Sequence, residues 1–195
     1  MFIEAIARAL RYSGLLAIAA FASSIIVSAT FNPWFSVFDN AFSDLGGSTA
    51  NMPYIFNYGL IFFGLFMLLF SIYAIIISSN KVETVSGSLM IVASLYFMLI
   101  GVFPYDFNPP WAHVFAALSS FLIAYLSIII WGVGAFLAGK KRLGLIILLL
   151  SILSPFAVGF LSFYSAALVE SYGILVLAAW IILLTFFYKN SGFQH

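Results

Sequence analysis

The 195-residue chain has no cysteine, two histidines, seven Lys or Arg residues and six Asp or Glu residues. Without cysteine it can form neither a disulfide framework nor a thiolate metal site, an absence that leaves the redox compartment undecided. Soluble domains carry about 25% charged residues, whereas this chain carries 7%. The net charge of +1 and the lack of a basic cluster suited to a phosphate backbone indicate no nucleic-acid partner.

Common catalytic signatures are missing as well. The sequence has no HExxH zinc motif, no Gly-x-Ser-x-Gly nucleophile motif and no Walker motif. No ionisable residue falls in the middle of an apolar run and no inverted repeat is visible, which argues against a transporter. The sequence therefore carries no signature of a named enzyme class.

Apolar residues dominate the chain: 65% are hydrophobic, and the mean hydropathy is +1.18. This composition indicates an integral membrane protein, because a helix of about 20 apolar residues crosses the hydrocarbon core. Six such runs are present, at 12–31, 53–79, 86–103, 111–137, 143–168 and 172–188. We predict an all-α fold in which residues 1–195 form a single six-helix bundle with no separate soluble domain.

The distribution of charge predicts the orientation. A cytoplasmic N-terminus places every Lys and Arg on the cytoplasmic side, as the positive-inside rule requires; these are Arg8, Arg11, Lys81, Lys140, Lys141, Arg142 and Lys189. The outer side then carries Asp39, Asp44, Asp106, His113 and Glu170, and the cytoplasmic side also carries Glu4, Glu83 and His195. We expect both termini in the cytoplasm. Alternatively, the first run is a cleaved signal peptide, because Val27-Ser28-Ala29 resembles a cleavage site.

The segment between the first two runs alternates aromatic and polar residues at helical spacing from Trp34 to Leu45. This pattern predicts an interfacial amphipathic helix. We expect Gly46 and Gly47 to end it, since glycine supplies the positive φ of a common helix stop. Pro53 is expected in the first turn of the second span.

Prolines and a glutamate mark the later connections. Pro104 closes the third span, and Asn108 is expected to cap the fourth, with Pro109 at its first position. Pro155 should kink the fifth span, because it leaves the Ser151 carbonyl without its usual amide donor. Glu170 is expected in the short turn before the sixth span.

Small or polar residues recur every seventh position in three consecutive spans. Seven residues are close to two helical turns, so each set forms a stripe typical of close helix packing in membranes. The stripes are Asn57, Gly64, Ser71 and Ser78; Gly87, Ser94 and Gly101; and His113, Ser120, Ser127 and Gly134. Two of them end in a polar side chain at the predicted outer boundary, Asn57 and His113.

The candidate binding site consists of five polar residues predicted to lie near that boundary: Asp44, Asn57, Asp106, His113 and Glu170. Four of them, Asp44, Asp106, His113 and Glu170, are residue types that bind divalent metals or act as general acids and bases, so a divalent metal ion is a candidate cofactor. Local structural roles are the alternative: turn or loop caps for the two aspartates, a neighbour contact for the histidine, and helix-dipole pairing for the glutamate. Ser43 could be a nucleophile with His113 and Asp106, but Ser43-Asp44 before two glycines is equally a turn signature.

Several short motifs together resemble one family. They are Asn40-Ala41-Phe42-Ser43-Asp44-Leu45-Gly46, Phe56-Asn57-Tyr58-Gly59, Gly101-Val102-Phe103-Pro104 leading to His113, and Glu170 followed by an apolar run with Trp180. With them the chain resembles the six-span prokaryotic membrane proteins of domain of unknown function 998. The resemblance implies a six-helix bundle in a prokaryotic cytoplasmic membrane, marks Ser43, Asp44, Gly46, Asn57, Pro104, His113 and Glu170 as family-like positions, and implies no activity. A more distant likeness is to the Frag1/DRAM/Sfk1 membrane proteins, which are associated with lipid and anchor handling.

From these residues we expect an outward-facing pocket that binds a cation or a cationic or metal-bridged lipid head group. An anionic lipid without a metal would be repelled by the acidic outer face. One alternative is a non-catalytic accessory or scaffold subunit that docks other membrane proteins through its stripes and aromatic surface. Another is a metal-assisted lipid hydrolase in which Asp44 or Glu170 activates water. Membrane lipids are the expected partners.

Overall fold

The computed structural model describes residues 2–162 and 164–188, and this part of the chain forms helices and connecting turns without a strand. Its helices are α1 (Phe2–Leu10), α2 (Ser13–Phe31), α3 (Pro53–Ile77), α4 (Lys81–Val102), α5 (Trp111–Leu137), α6 (Lys141–Leu161) and α7 (Ala166–Ile182), the last continued by a π-helical turn, Leu183–Phe187. Six helical segments, the first combining α1 and α2, are long and apolar enough to span a membrane. The all-α membrane-bundle prediction is confirmed; Lys189 and His195 lie outside the described residues.

The start of α7 differs from the prediction. We expected the fifth span to reach residue 168, but α6 ends at Leu161 and α7 begins at Ala166. Ser165 caps the new helix, since its Oγ accepts the Leu168 amide proton at 3.2 Å. Glu170 therefore lies inside α7, one turn from its start, and the prediction that it lies in a turn is wrong.

Helix α4 begins earlier than expected, and the cap of α5 differs from the prediction. Asn80 caps α4 by accepting the Glu83 amide proton at 3.0 Å, and Glu83 accepts the Ser79 amide proton at 2.5 Å. These two bonds bind backbone amides at the helix start, which lies five residues before the predicted Ser86. For α5 we expected Asn108 as the cap and Pro109 at the first position, and this is wrong. The residue at the N-cap position is Pro110, which makes no side-chain capping hydrogen bond, and the helix begins at Trp111.

Residues 32–52, termed the first loop, form turns and one short 3₁₀ helix, Phe42–Gly46, rather than the predicted amphipathic helix. Local side-chain bonds compete with the helix: Asn40 Oδ1, for example, accepts the Ser36 amide proton at 2.9 Å. The expected positive φ at Gly46 and Gly47 is wrong too, because Gly47 is extended at φ −85° and neither glycine is left-handed.

The seven-residue stripes are helix-packing seams, as their spacing predicted. A Cβ atom at Gly64 of α3 would lie 2.7 Å from the Ser94 carbonyl oxygen of α4, and one at Gly101 would collide with the Asn57 carbonyl oxygen. Between α4 and α5, the Ser86 and Ser127 hydroxyls lie 3.0 Å apart. Close backbone approach thus fixes the antiparallel register of three central helices.

A ladder of phenylalanine rings crosses the bundle. Successive ring centroids lie 5.4, 4.9 and 5.5 Å apart; the rings are Phe21, Phe63, Phe97 and Phe121. α6 lies outside this core and is the least buried of the spans. At Pro155, the freed Ser151 carbonyl accepts the Tyr125 hydroxyl proton at 3.0 Å, and α6 continues without a break.

The bundle has two chemically different ends, set by the alternating helix directions. The acidic end holds Asp39, Asp44, Asp106, Glu170 and His113. The basic end holds the described Lys and Arg residues, with Glu4 and Glu83.

Candidate functional site

The first loop is attached to α7 at the acidic end by three hydrogen bonds. Glu170 Oε2 accepts the Phe42 amide proton at 2.8 Å. Close by, the Ser165 hydroxyl donates to the Val37 carbonyl at 2.6 Å, and the Ala167 amide donates to the Asn40 carbonyl at 3.0 Å. A loop near the start of the chain therefore forms one side of the environment of Glu170.

Asp44 lies next to this contact. Its Oδ2 accepts the Ala41 amide proton at 2.9 Å, so it caps the short 3₁₀ helix, as the local explanation of this residue predicted. Because Asp44 and Glu170 accept from the adjacent amides of residues 41 and 42, the two carboxylates lie in the same neighbourhood.

Asn57 and Gly46 hold the other end of the 3₁₀ helix. The Asn57 side-chain amide donates to the Gly46 carbonyl at 2.9 Å. A Cβ atom at Gly46 would collide with Asn57 Oδ1 and lie 3.0 Å from the Phe56 ring. Asn57 therefore points to the first loop, and glycine is needed at 46 to admit its side chain.

Asp106 joins the loop that contains Pro104 to the first loop. Its Oδ2 accepts the Ser48 amide proton at 2.7 Å, and Gly47 lies against the Tyr105 ring so closely that a Cβ atom there would clash. The hydrogen bonds from Ser48 lower the pKa of the Asp106 carboxyl below its ordinary value. This exposed carboxylate ties two loops together at the rim.

His113 is 8% exposed in the first turn of α5. Its Nδ1 lies 2.7 Å from the Phe103 carbonyl oxygen, and because a carbonyl only accepts, Nδ1 carries the proton of this bond. In the neutral ring, Nε2 is then a hydrogen-bond acceptor, and it has no partner among the described residues. Asp106 does not orient the ring through Nδ1, so the Ser43–His113–Asp106 triad is not assembled.

A small chamber of about 30 Å³ lies beneath the first loop. Its polar wall residues are Ser43, His113 and Glu170, and the others are apolar, among them Phe21, Phe56 and Leu60. The fold thus gathers three sequence-predicted residues from the first loop, α5 and α7. Asn57 and Asp106 are not in its wall.

The four predicted metal ligands fall into two pairs with separate anchors. Asp44 and Glu170 are held by the 41–42 backbone, whereas Asp106 and His113 are held by Ser48 and Phe103. Across residues 2–162 and 164–188, no group of three or more His, Asp or Glu side chains could hold a metal ion.

A larger groove of about 610 Å³ opens between α5, α6 and α7. On α5 its wall runs from Ala117 to Ile128, which spans about 16 Å at 1.5 Å per residue. The groove and the chamber share Phe97, Ala117, Phe121 and Glu170 in their walls. Glu170 therefore stands where the groove meets the chamber.

The groove is apolar along its length because its hydroxyl groups are already bonded. The Tyr125 hydroxyl donates to the Ser151 carbonyl, and the Ser165 hydroxyl donates to the Val37 carbonyl. Ser154 Oγ donates to the Leu150 carbonyl at 2.8 Å and lies 3.4 Å from the Tyr172 hydroxyl. Among the described residues, Glu170 Oε1 makes no hydrogen bond. The polar function of the groove is therefore concentrated at its acidic end.

The basic end contains a buried cluster that the sequence analysis missed. Glu83 is fully buried, and its Oε2 accepts the Tyr188 hydroxyl proton at 2.5 Å. Lys140 Nζ donates to Ser79 Oγ at 2.7 Å and lies 3.6 Å from the centre of the Tyr188 ring. The Asn80–Glu83 spacing is the capping-box pattern, and it would have placed Glu83 at a helix start.

Burial changes the acid–base behaviour of two members of this cluster. Burial lowers the pKa of Lys140, although the negative charge of nearby Glu83 acts in the opposite direction. Burial raises the pKa of Tyr188, and the hydrogen bond to Glu83 raises it further. The cluster joins the α3–α4 turn, the α5–α6 turn and the end of the last span, and it lies at the opposite end of the bundle from the groove mouth.

Comparison with protein-family models identifies a match to the family described as protein of unknown function (DUF998) over residues 15–186. Comparison with curated proteins and with solved structures found no match. The matched region covers most of the chain, including the first loop, His113 and Glu170. The chain belongs to the DUF998 family.

Proposed function

We propose that this member of the DUF998 family is a lipid-binding membrane protein. One acyl chain of a membrane lipid occupies the groove between α5, α6 and α7, and the lipid head group lies beside Glu170. The observation that carries the proposal is an apolar groove that ends at Glu170, whose Oε1 accepts no hydrogen bond from the described residues.

The dimensions of the groove match a lipid chain. Its volume of about 610 Å³ falls in the usual range for small-molecule sites, about 300–1,000 Å³. Its axial length of about 16 Å is close to half of the ~30 Å hydrocarbon core. A chain from one leaflet thus extends from the acidic end to the middle of the bilayer, with Pro155 and Ser154 near its tip.

The position of α6 supports lateral entry. This helix is the least buried span, so the groove has one wall that contacts the bundle weakly. A lipid can enter sideways from the bilayer without passing through water. We place the basic end in the cytoplasm by the positive-inside rule, which puts the groove in the outer leaflet.

The test is the lipid content of the purified protein. Native mass spectrometry of wild type should show about one retained lipid per chain. Ala166→Trp places a bulky ring in the groove wall and should lower occupancy at least fivefold. Ala22→Trp, an exposed position on α2, is the matched control and should retain the lipid.

Two results would overturn the proposal. One is wild type that retains no lipid under conditions where its fold is intact. The other is equal lipid occupancy in Ala166→Trp and Ala22→Trp. A stoichiometric protein partner without bound lipid would instead favour the accessory-subunit alternative.

A further inference from the structure

We infer that the small chamber beneath the first loop binds a primary ammonium group, so that the groove selects amine-headed lipids. This inference rests on the proposed function, because it identifies the head group of the lipid whose chain lies in the groove. Its structural basis is the chamber that Ser43, His113 and Glu170 help to line, at the point where Glu170 joins the chamber to the groove.

The hydrogen-bonding character of the chamber favours a donor. Glu170 Oε1 accepts no hydrogen bond from the described residues, since the Phe42 amide proton is bound by Oε2. His113 Nε2 is an acceptor in the neutral ring, because Nδ1 donates to the Phe103 carbonyl. The Ser43 hydroxyl can accept as well. Ser43, His113 and Glu170 all line the chamber, so a group bound there can meet up to three acceptors, the number of N–H donors of an ammonium group.

Charge favours a cation. Glu170 and Asp44 lie close together, and the described Lys and Arg side chains lie at the basic end. A partly buried carboxylate without a nearby cation loses part of its hydration, which costs free energy. A ligand ammonium supplies the missing positive charge and forms charge-assisted hydrogen bonds, which are stronger than neutral ones.

Size separates a primary from a quaternary ammonium. The chamber volume of about 30 Å³ accommodates two water-sized groups, since one such group takes about 10–15 Å³ of this volume. An –NH₃⁺ group fits this space. A trimethylammonium group is larger, is enclosed by methyl groups and donates no hydrogen bond, so a choline head group satisfies none of the three acceptors.

The experiment reconstitutes the protein in bilayers with equal amounts of ethanolamine and choline phospholipids that carry identical chains. After extraction, mass spectrometry gives the ratio of the two lipids bound to the protein. Wild type should be enriched about tenfold in the ethanolamine lipid, which corresponds to one strong charge-assisted interaction. Glu170→Gln keeps an oxygen for the Phe42 amide and should bring the ratio close to one, while total bound lipid stays unchanged. Asp39→Asn, at an exposed position of the same end, should keep the wild-type ratio.

The outcomes separate this inference from the function on which it rests. Bound lipid in the bulk ratio would overturn the ammonium assignment and leave the lipid groove intact, whereas no bound lipid would overturn both. An unchanged ratio in Glu170→Gln would also overturn the assignment. Free ethanolamine tests a soluble amine as the source: if it binds the protein as tightly as the ethanolamine phospholipid does, the assignment to a lipid head group is overturned.

Discussion

Replacement of Gly64 by alanine should weaken the contact between α3 and α4. The new Cβ atom would lie 2.5 Å from Met98 Cγ, 2.7 Å from the Ser94 carbonyl oxygen and 2.8 Å from the Met98 backbone nitrogen. Ordinary contacts between non-bonded heavy atoms are about 3.5–4.0 Å. Two of the three obstructing atoms belong to the backbone, so a change of side-chain rotamer cannot relieve the clash.

The expected magnitude is the difference between two effects. Overpacking of this kind costs about 1–3 kcal/mol, and alanine recovers up to about 1 kcal/mol because it is the better helix former. The net loss in the free energy of unfolding of Gly64→Ala therefore lies between about 0 and 3 kcal/mol, with a central value of about 1.5 kcal/mol. Gly159→Ala is the matched control, since a Cβ atom there meets nothing within 4 Å on the exposed surface of α6.

The assay is reversible unfolding in mixed micelles of increasing denaturing-detergent content, followed by circular dichroism. Gly64→Ala should unfold at a lower detergent fraction than wild type, and Gly159→Ala at the same or a higher one. If the two alanine variants unfold together, the packing register between α3 and α4 is wrong, and with it the explanation of the seven-residue stripes.

Two further predictions concern the ends of the bundle. Tyr188→Phe should lower the free energy of unfolding by about 1–3 kcal/mol, because it removes a hydrogen-bond donor from the buried Glu83 carboxyl. Tyr58→Phe, at an exposed position, should have no effect in the same detergent titration. Equal stability of both variants would contradict the role of the Tyr188–Glu83 hydrogen bond. Asp106→Asn should lower stability at pH 6 by less than about 1 kcal/mol, because Asp106 is exposed and screened. The pKa of Asp106 is lowered in the folded state, so its contribution is present above the unfolded value, near pH 4, and is lost as the pH falls through the folded value. Unfolding curves of the variant and wild type, which differ at pH 6, should therefore converge in acid, once the pH is below the folded pKa of Asp106. Asp39→Asn should leave stability unchanged at both pH values, and a difference between Asp106→Asn and wild type that persists in acid would count against the Ser48 contact.

Features set by local periodicity were predictable from the sequence. The limits of α5 at Trp111 and Leu137 match the prediction, because prolines precede the helix and glycine and lysine follow it. The seams between α3, α4 and α5 were visible as well, since a spacing of seven depends only on helix geometry. The N-cap residue Asn80, followed three positions later by Glu83, was also readable as a helix start, although we placed the start at Ser86 because the apolar run begins there.

Long-range contacts to backbone atoms were not predictable. The bond from the Phe42 amide to Glu170 joins residues 128 positions apart, and a backbone amide leaves no mark in the amino-acid sequence. The same holds for the bond between Asp106 and the Ser48 amide. The groove also escapes prediction, since it depends on how far α6 stands from α7. Sequence reasoning therefore identified residues of the chamber without finding their true partners.

The attachment of the first loop to α7 has a consequence for the biogenesis of the protein. The Val37 carbonyl and the Phe42 amide find their partners on Ser165 and Glu170, each 128 residues later in the chain. At the opposite end, the Arg11 guanidinium donates to the Thr185 carbonyl at 2.7 and 2.9 Å, across 174 residues. A ribosome must therefore deliver nearly the whole polypeptide into the bilayer before these hydrogen bonds of the first loop and the first span can form. Chains that stop short of the last helix should be recognised by quality-control proteases as unfinished.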